Sequence, residues 1–260
     1  MTYCAIDFGT SNSAVAISTA AGMKLVPLEG AHLTMPTAVF YCTDRDDLPP
    51  GAEPAPAQTE PPLHRVFGRA AVQAYMDGYG GRLMRSMKSI LGSPLVDQTT
   101  EVGEGYGVPY LDIITTYLRH VRTHAQTAAG QTLTQVVLGR PVYFVDEDPE
   151  RDAQAEASLR AAAQAVGFEA IHFQFEPIAA AFDYEQQVQE EQKVLVADIG
   201  GGTSDFSVVR VGPERMKRLD RRDDILSHHG IHIAGTDFDR HVSLNSVMPV
   251  MGYGAFGPSV

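Results

Sequence analysis

Two short segments of the sequence place an acidic residue at the end of an apolar run and follow it with glycines and hydroxyl side chains. They read AIDFGTSNSAV over residues 5–15 and VADIGGGTSDF over residues 196–206. Backbone N–H groups in such a turn form a concavity that suits an anion, because the missing Cβ atoms let oxygens approach closely. Asp7 and Asp198 would repel a bare phosphate, so they indicate a hydrated Mg²⁺ between carboxylate and phosphate. The pattern predicts a site for a metal-bound nucleoside polyphosphate.

The hydroxyl side chains of the two turns add further donors for phosphate oxygens, and these are Thr10, Ser11, Thr203 and Ser204. Neither G-x-x-x-x-G-K-[ST] nor G-x-G-x-x-G occurs in these turns, which excludes a P-loop and a Rossmann dinucleotide site there. Two ordinary tight hairpins would also be rich in Gly and Asp. A hairpin alone, however, does not require Asp, then glycine, then hydroxyls at both places, and the functional interpretation is favoured.

The elements around the turns predict an α/β fold in which one unit is used twice. Strand, turn and strand at the N-terminus are followed by helices, strand, helix, strand and helix, and then by strand, turn and strand again. GGRLMRSMKSILG is expected to be helical, MKRLD to be a strand, and a further helix to begin at Pro149 with Asp148 as its cap. A first lobe over 1–188 and the beginning of a second lobe over 189–260 would place the two acidic turns across a common cleft.

Composition excludes several classes of protein. The 260 residues carry 32 acidic and 20 basic side chains, for a net charge of -12, which argues against binding to nucleic acid or to an anionic membrane. No apolar run is long enough to cross a bilayer, and no basic segment precedes an apolar one at the N-terminus. A cytoplasmic location is therefore expected. A proline-rich insertion near 44–63 is expected to be a mobile loop.

Histidines offer little sign of another metal site. His120 and His124 stand four residues apart in a predicted helix, but the Glu of an H-E-x-x-H motif is missing. The segment LRHVRTH is interpreted as an exposed helix face, with both histidines on the surface.

Several segments together resemble the actin, hexokinase and heat-shock ATPase superfamily, and within it the seventy-kilodalton heat-shock (DnaK-type) chaperones. IDFGTSNSAV and VADIGGGTSDFSVV are similar to the two phosphate loops of that family, and FEPIAAAFDYE to its first connecting helix. FGRAAV and MKSILG resemble the stretch that carries its catalytic lysine, GRPVYF its V-P-A-Y-F strand, and IAGTDFDRHV a later nucleotide-contacting segment. These matches follow the family's order from residue 3 to about 245.

The resemblance implies an actin-like ATPase fold with ribonuclease-H-like duplicated lobes, which binds ATP or ADP with Mg²⁺ and hydrolyses ATP in the full-length protein. Lys88 matches the lysine that reaches the terminal phosphate, although its spacing alone favours an exposed helix lysine. Glu176 matches the carboxylate that orders the attacking water, and Asp198 also orients that water or its metal. The implied nucleotide contacts are Gly9, Thr10, Ser11, Asn12, Gly200, Gly201, Gly202, Thr203, Gly235 and Thr236. The implied metal ligands are Asp7, Asp198 and Asp205, the last supporting the second loop.

Departures from the family pattern refine the interpretation. Phe175 stands where the chaperones usually have Asn, and IAG before Thr236 replaces a double glycine. With the proline-rich loop, these differences favour the divergent YegD-like branch. The sequence stops at GYGAFGPSV before the family's second connecting helix, so we expect an incomplete second lobe. A client protein or co-chaperone is an implied partner.

Two alternatives remain open on the sequence alone, namely a bacterial actin-like filament protein and a sugar or acetate kinase of the same superfamily. MKSILG and GRPVYF favour the chaperone-like ATPase over the filament protein, and no distinct substrate motif points to a kinase.

Overall fold

A computed structural model of the chain describes residues 3–54, 63–103, 105–231 and 233–254. The chain divides into two compact units, Met1–Phe182 and Asp183–Val260. Strands and helices are interspersed along the chain, so the predicted α/β class is confirmed. Of the proline-rich insertion predicted near 44–63, residues 55–62 lie outside the described residues, and its mobility stays a prediction.

The strands and helices of the described residues are numbered here in chain order. The strands are β1 (Tyr3–Phe8), β2 (Asn12–Thr19), β3 (Gly22–Leu25), β4 (Thr34–Pro36), β5 (Ala38–Cys42), β6 (Arg65–Phe67), β7 (Gly81–Arg85), β8 (Thr99–Gly103), β9 (Tyr106–Pro109), β10 (Gln135–Arg140), β11 (Ala170–Phe175), β12 (Gln192–Ile199), β13 (Ser204–Val211) and β14 (Ile225–Ile231). The α-helices are α1 (Gly68–Met76), α2 (Tyr110–Ala129), α3 (Pro149–Ala165), α4 (Glu176–Glu185), α5 (Pro213–Met216) and α6 (Gly235–Val242). Met87–Ile90 and Arg222–Asp224 form single turns of 3-10 helix, and Ser243–Val247 forms a turn of π-helix.

The first unit is built on a six-stranded sheet in the order β11-β10-β1-β2-β3, with β4 also paired to β2. Strands β1, β10 and β11 run parallel to one another, whereas β2 is antiparallel to β1. The carboxyl ends of the three parallel strands therefore meet at one edge of the sheet. The residues at that edge include Asp7, Arg140 and Phe175.

The core of the first unit follows from the residue pattern of its elements. Alternate residues of β1 are buried, because one face of the strand packs into the core. Helix α2 buries Ile114, Leu118 and Val121 on one face, as the spacing of these residues predicts. Helix α3 begins at Pro149, and the side chain of Asp148 accepts a hydrogen bond from the Arg151 N–H, which confirms the predicted cap.

The second unit contains a three-stranded antiparallel sheet in the order β12-β13-β14. A charged network lies at one end of this sheet. Arg221, which is 3% exposed, donates to both carboxylate oxygens of Glu185 at 2.9 and 3.0 Å and also pairs with Asp224. Glu185 in turn accepts the Gly212 N–H at 2.9 Å. The network ties the end of α4 to the loops on either side of α5.

Two local predictions are wrong for physical reasons. GGRLMRSMKSILG is not a helix, since β7 pairs with the fully buried strand β5 and a Cβ at Gly81 would lie 2.2 Å from the Tyr41 carbonyl oxygen. Tertiary pairing therefore overrides the helical pattern. MKRLD is not a strand either, because its first residue ends the short helix α5 and Leu219 is fully exposed.

The predicted exposed face around His120 is also wrong. Its imidazole is 11% exposed and stacks on Phe67 with ring centroids 4.0 Å apart. Burial, with the neighbouring His124 as a second cause, lowers the pKa of His120 to about 3. None of the helices in the described ranges combines the length and the apolarity needed to cross a bilayer.

Candidate functional site

The first acidic turn joins β1 to β2, and a buried threonine fixes its peptide groups. The Thr37 hydroxyl donates to the Gly9 carbonyl at 2.8 Å, and the Thr37 N–H donates to the Ser11 carbonyl at 2.9 Å. The N–H of Thr10 belongs to the same planar peptide as the Gly9 carbonyl, so it points away from Thr37. No hydrogen bond among the described residues is donated by the N–H of Thr10 or Ser11. The turn therefore presents amides that suit an anion.

Gly9 is required by the backbone of this turn. A Cβ at that position would lie 2.3 Å from the Asn12 carbonyl oxygen. Ser11 and Asn12 are exposed, and Thr10 is half-buried. All four residues predicted to contact nucleotide in this turn are thus in one tight, accessible segment.

Two carboxylates approach the end of β10 beside this turn. A Cβ built on Gly139 would lie 3.5 Å from Glu176 Oε1 and 3.9 Å from Asp7 Oδ1. Asp7 lies near the end of β1, and Glu176 is the first residue of α4. The parallel order of β1, β10 and β11 is the reason that residues so far apart in sequence meet here.

Lys88 completes this group in the first unit. Its Nζ lies 2.6 Å from Glu176 Oε1, and the two side chains are 12% and 22% exposed. Lys88 lies in the 3-10 turn that follows Ser86, which has a φ of 56°, and the adjacent Met87 is fully buried. The structure therefore places Lys88, Glu176 and Asp7 at one edge of the sheet, and Lys88 is not an exposed helix lysine.

The second acidic turn joins β12 to β13 and is held in a comparable way. The Gly235 N–H donates to the Gly200 carbonyl at 3.0 Å, and the Thr236 N–H and hydroxyl both donate to the Gly201 carbonyl at 2.9 and 2.7 Å. By the same planarity argument, the N–H groups of Gly201 and Gly202 point away from α6. Gly235 and Thr236 thus lie at the second turn, where they hold its backbone, and their contact with nucleotide stays a prediction.

The two aspartates of the second turn lie opposite each other in the β12–β13 register. Asp205 accepts the Thr203 hydroxyl at 2.8 Å, and His228 Nε2 lies 3.5 Å from its other oxygen. Asp198 is exposed. Like charges directly opposite in a sheet are unfavourable, so a cation beside them would be stabilising. Within the described residues, no group of three or more His, Cys, Asp or Glu side chains could by itself hold a metal ion.

One expected hydroxyl donor is not available to a ligand. Ser204 is buried and donates its hydroxyl to the Ile233 carbonyl at 2.7 Å. Sequence reasoning missed Thr37 and Gly139, because each lies outside the turn that it supports. The close approach at Gly139 had no sequence signal beyond the glycine itself.

Most of the chain is similar to known proteins. The family model described as Hsp70 protein matches residues 3–245. The chain is 29% identical over 246 residues to the chaperone protein dnaK of Gracilaria tenuistipitata var. liui, a match that covers 91% of this chain and 36% of the relative. It is 30% identical over 248 residues to the chaperone protein HscA homolog of Pseudomonas paraeruginosa (strain DSM 24068 / PA7), with 92% and 36% covered. The chain thus spans about a third of the length of these curated relatives.

These matches confirm the resemblance to heat-shock chaperones and the predicted actin-like ATPase fold class. They support a chaperone-like ATPase module and do not favour a filament protein or a superfamily kinase. The narrower assignment to the YegD-like branch stays a prediction. The matched range includes both acidic turns, Lys88 and Glu176, and the chain belongs to the Hsp70 family.

Proposed function

We propose that this chain binds Mg-ATP and Mg-ADP through its two acidic turns and that Lys88 and Glu176 support hydrolysis of ATP. The observation that carries the proposal is the Lys88–Glu176 pair at 2.6 Å, beside Asp7 and the outward amides of the first turn. An ammonium, two carboxylates and an anion-binding turn at one sheet edge are the groups that phosphoryl transfer to water requires.

The residues present fit a magnesium nucleotide. Gly9 is required by the backbone of the first turn, because a Cβ would lie 2.3 Å from the Asn12 carbonyl oxygen, and this turn is the one whose outward Thr10 and Ser11 amides suit phosphate oxygens. Asp7 and Asp198 would hold Mg²⁺ mainly through its water shell, since magnesium takes few protein carboxylates when phosphate is present. Bound Mg²⁺ supplies charge neutralisation at the phosphates. Asp205 accepts a hydrogen bond from Thr203 and lies beside His228, and we propose that it supports the second turn.

Lys88 and Glu176 have distinct proposed roles. The ammonium of Lys88 stabilises negative charge on the terminal phosphate, and the carboxylate of Glu176 accepts a hydrogen bond from the attacking water and orients it. Their mutual hydrogen bond holds both side chains in place before substrate arrives. We propose that Asp198 orients the same water or its metal, and that Gly200, Gly201, Gly202 and Thr203 contact phosphate.

The proposal is tested by calorimetry with Mg-ADP and Mg-ATP and by single-turnover hydrolysis of radiolabelled ATP. Lys88→Ala is expected to change the Kd for Mg-ATP by less than about threefold and to lower the hydrolysis rate by about 100-fold or more. Lys24→Ala, at an exposed lysine, is the matched control and should leave both unchanged. If a folded wild-type chain binds neither nucleotide, the proposal is wrong. Equal rates for Lys88→Ala and wild type would remove Lys88 from the mechanism.

A cytoplasmic location is proposed from the apolar and basic pattern of the sequence, and a protein client or co-chaperone is proposed from the family. Fractionation would test the location, and affinity capture in the presence of ATP or ADP would test the partner. Sedimentation with ATP provides a separate check, since nucleotide-dependent pelleting would favour the filament alternative.

A further inference from the structure

Arg140, the last residue of β10, is buried in a charged and aromatic environment that the proposed mechanism does not use. It is 6% exposed. Its Nη2 donates to both oxygens of Asp152 at 2.9 and 3.1 Å, its Nη1 donates to Glu156, and its Nε donates to the Pro141 carbonyl at 3.0 Å. Asp152 and Glu156 lie one turn apart on α3. Two carboxylates and a backbone carbonyl therefore fix the plane of this guanidinium.

The same guanidinium covers the residue that precedes Glu176. Its Cζ lies 5.3 Å from the ring centroid of Phe175 and 5.2 Å from that of Phe144. Phe175 is the direct register partner of Arg140 across the β10–β11 pair. Stacking of a guanidinium on an aromatic face is attractive and restricts the ring. The end of β11 is thus held immediately before the chain turns into α4.

Strand alternation separates Arg140 from the candidate catalytic groups. The Cβ direction of Gly139 points toward Glu176 and Asp7, so the side chain of Arg140 leaves the sheet on the opposite face. Any effect of Arg140 on Glu176 must therefore pass through the backbone, since Phe175 directly precedes the residue that starts α4.

We propose that Arg140 is a positioning residue for Glu176, which it keeps at the Lys88 ammonium by holding the β11–α4 junction through Phe175. The catalytic consequence rests on the function proposed above. The placement of Glu176 against Lys88 does not rest on that function, since the contact between the two side chains is a property of the folded chain itself.

The chain offers a matched control in Arg160. It pairs with the other oxygen of Glu156 at 3.1 Å, donates to the Ile171 carbonyl at 2.9 Å, and stacks on Phe173 at 4.8 Å. Arg160 on α3 and Arg140 on β10 thus bind the same glutamate, and each stacks on a phenylalanine of β11. Phe173 is three residues before Glu176, however, whereas Phe175 is adjacent to it. The side chain of Arg160 is 39% exposed and that of Arg140 is 7% exposed, so a difference in stability between their variants would reflect burial. A positioning role predicts in addition that only the Arg140 variant disturbs Lys88.

The first measurement is independent of any ATPase activity. The sequence contains four lysines, so labelling with [13C,15N]lysine gives four side-chain Cε signals, and Lys88→Arg identifies that of Lys88. Arg140→Gln is expected to shift or broaden the Lys88 signal, whereas Arg160→Gln leaves it unchanged. An unchanged Lys88 signal in folded Arg140→Gln overturns the proposal.

Because removing Arg140 takes the cationic partner from Asp152 and leaves Glu156 with Arg160 alone, Arg140→Gln could fail to fold. In that case Phe175→Leu is used in place of Arg140→Gln, because it removes the ring on which the guanidinium stacks and keeps the ion pairs of Arg140. Phe173→Leu is its control. The same comparison of Lys88 signals decides the outcome.

The second measurement is single-turnover ATP hydrolysis in a double-mutant cycle. Arg140→Gln is expected to lower the hydrolysis rate by about tenfold to 100-fold with the Kd for Mg-ATP within about threefold, because a small misplacement of a catalytic group is costly. In a Glu176→Gln background, the same change should lower the rate by less than about twofold. An equal loss in both backgrounds overturns the inference. If the wild type shows no hydrolysis while Arg140→Gln moves the Lys88 signal, the proposed function fails and the positioning role stands.

Discussion

The two acidic turns present their amides in the same manner but are supported very differently. The strand before the first turn, β1, lies between β10 and β2 in a six-stranded sheet, whereas β12 lies at the edge of a three-stranded one. Ile6 before the first turn is 1% exposed, while Leu195 and Ile199 before the second are 65% and 59% exposed. The turn geometry is therefore a local property that two quite different sheets can carry.

The difference shows where each unit obtains its stability. In the first unit, buried apolar side chains on β1, β2, α2 and α3 form one continuous core. In the second, the buried ionic network of Arg221, Glu185 and Asp224 occupies one end of the sheet. A network of this kind is costly to break on one side, because the remaining charges stay buried.

The largest expected effect follows from that network. Arg221→Met takes the cationic partner from the buried Glu185 and leaves the buried Asp224 with Arg215 alone, and it is expected to destabilise the second unit by about 3–5 kcal/mol. Hydrogen exchange should show faster exchange in β13 and β14 with little change in β1 and β2. Arg218→Met, at an exposed arginine, is the control and should be close to neutral. Equal acceleration in both units would mean that they unfold as one.

The glycines of the two turns provide the next test. A Cβ at Gly9 would lie 2.3 Å from the Asn12 carbonyl oxygen, which is a severe clash. A Cβ at Gly200 would lie 3.4 Å from the Thr203 carbonyl oxygen, which is close to an ordinary contact. Gly9→Ala is therefore expected to destabilise the first unit by about 1–3 kcal/mol, as strained overpacking does. Gly200→Ala should cost less than about 1 kcal/mol. Urea unfolding of both variants checks this, and a larger cost at Gly200 would reverse the comparison.

A third test uses pH and concerns the first unit. His120 has a folded pKa of about 3 against about 6.5 when unfolded. The unfolded chain therefore binds the extra proton between these values, and stability falls as pH drops below about 6.5. Between pH 7 and pH 5 the loss is expected to be about 1–2 kcal/mol. His120→Gln should reduce this loss and exposed His32→Gln should not. An unchanged pH dependence in His120→Gln would show that the imidazole is already solvated.

The sequence is sufficient to predict the elements whose signals are local. The cap at Asp148, the start of α3 at Pro149 and the two glycine turns depend on neighbouring residues, and all are found in the structure. The parallel strands that bring Lys88, Glu176 and Asp7 together are not encoded in any one segment. Lys88 was assigned by resemblance, because a single lysine in a misassigned helix carries no signal of its own partner.

Predictions also failed where distant residues decide the outcome. The β7 segment has helical spacing, but its pairing with the buried β5 determines its structure. The burial of His120 depends on Phe67, a residue more than fifty positions earlier in the sequence. Arg140 and Thr37 were missed for the same reason, since neither lies within the motif that it supports.

The smallest expected effect on stability comes from the exposed side chains of β12. Replacing Leu195 and Ile199 together with Thr places a β-branched residue at both positions of the strand and removes exposed apolar surface. The change in the free energy of unfolding should therefore stay within about 0.5 kcal/mol per site. Exposed apolar patches promote association, and sedimentation velocity over a range of concentrations should show less self-association in the variant. Lys193→Thr, on the same strand and also exposed, is the control for substitution itself. A loss of about 2 kcal/mol or more in the double variant would mean that these side chains are covered in solution. The two sheets would then differ in whether a partner covers them and not in how their own side chains pack.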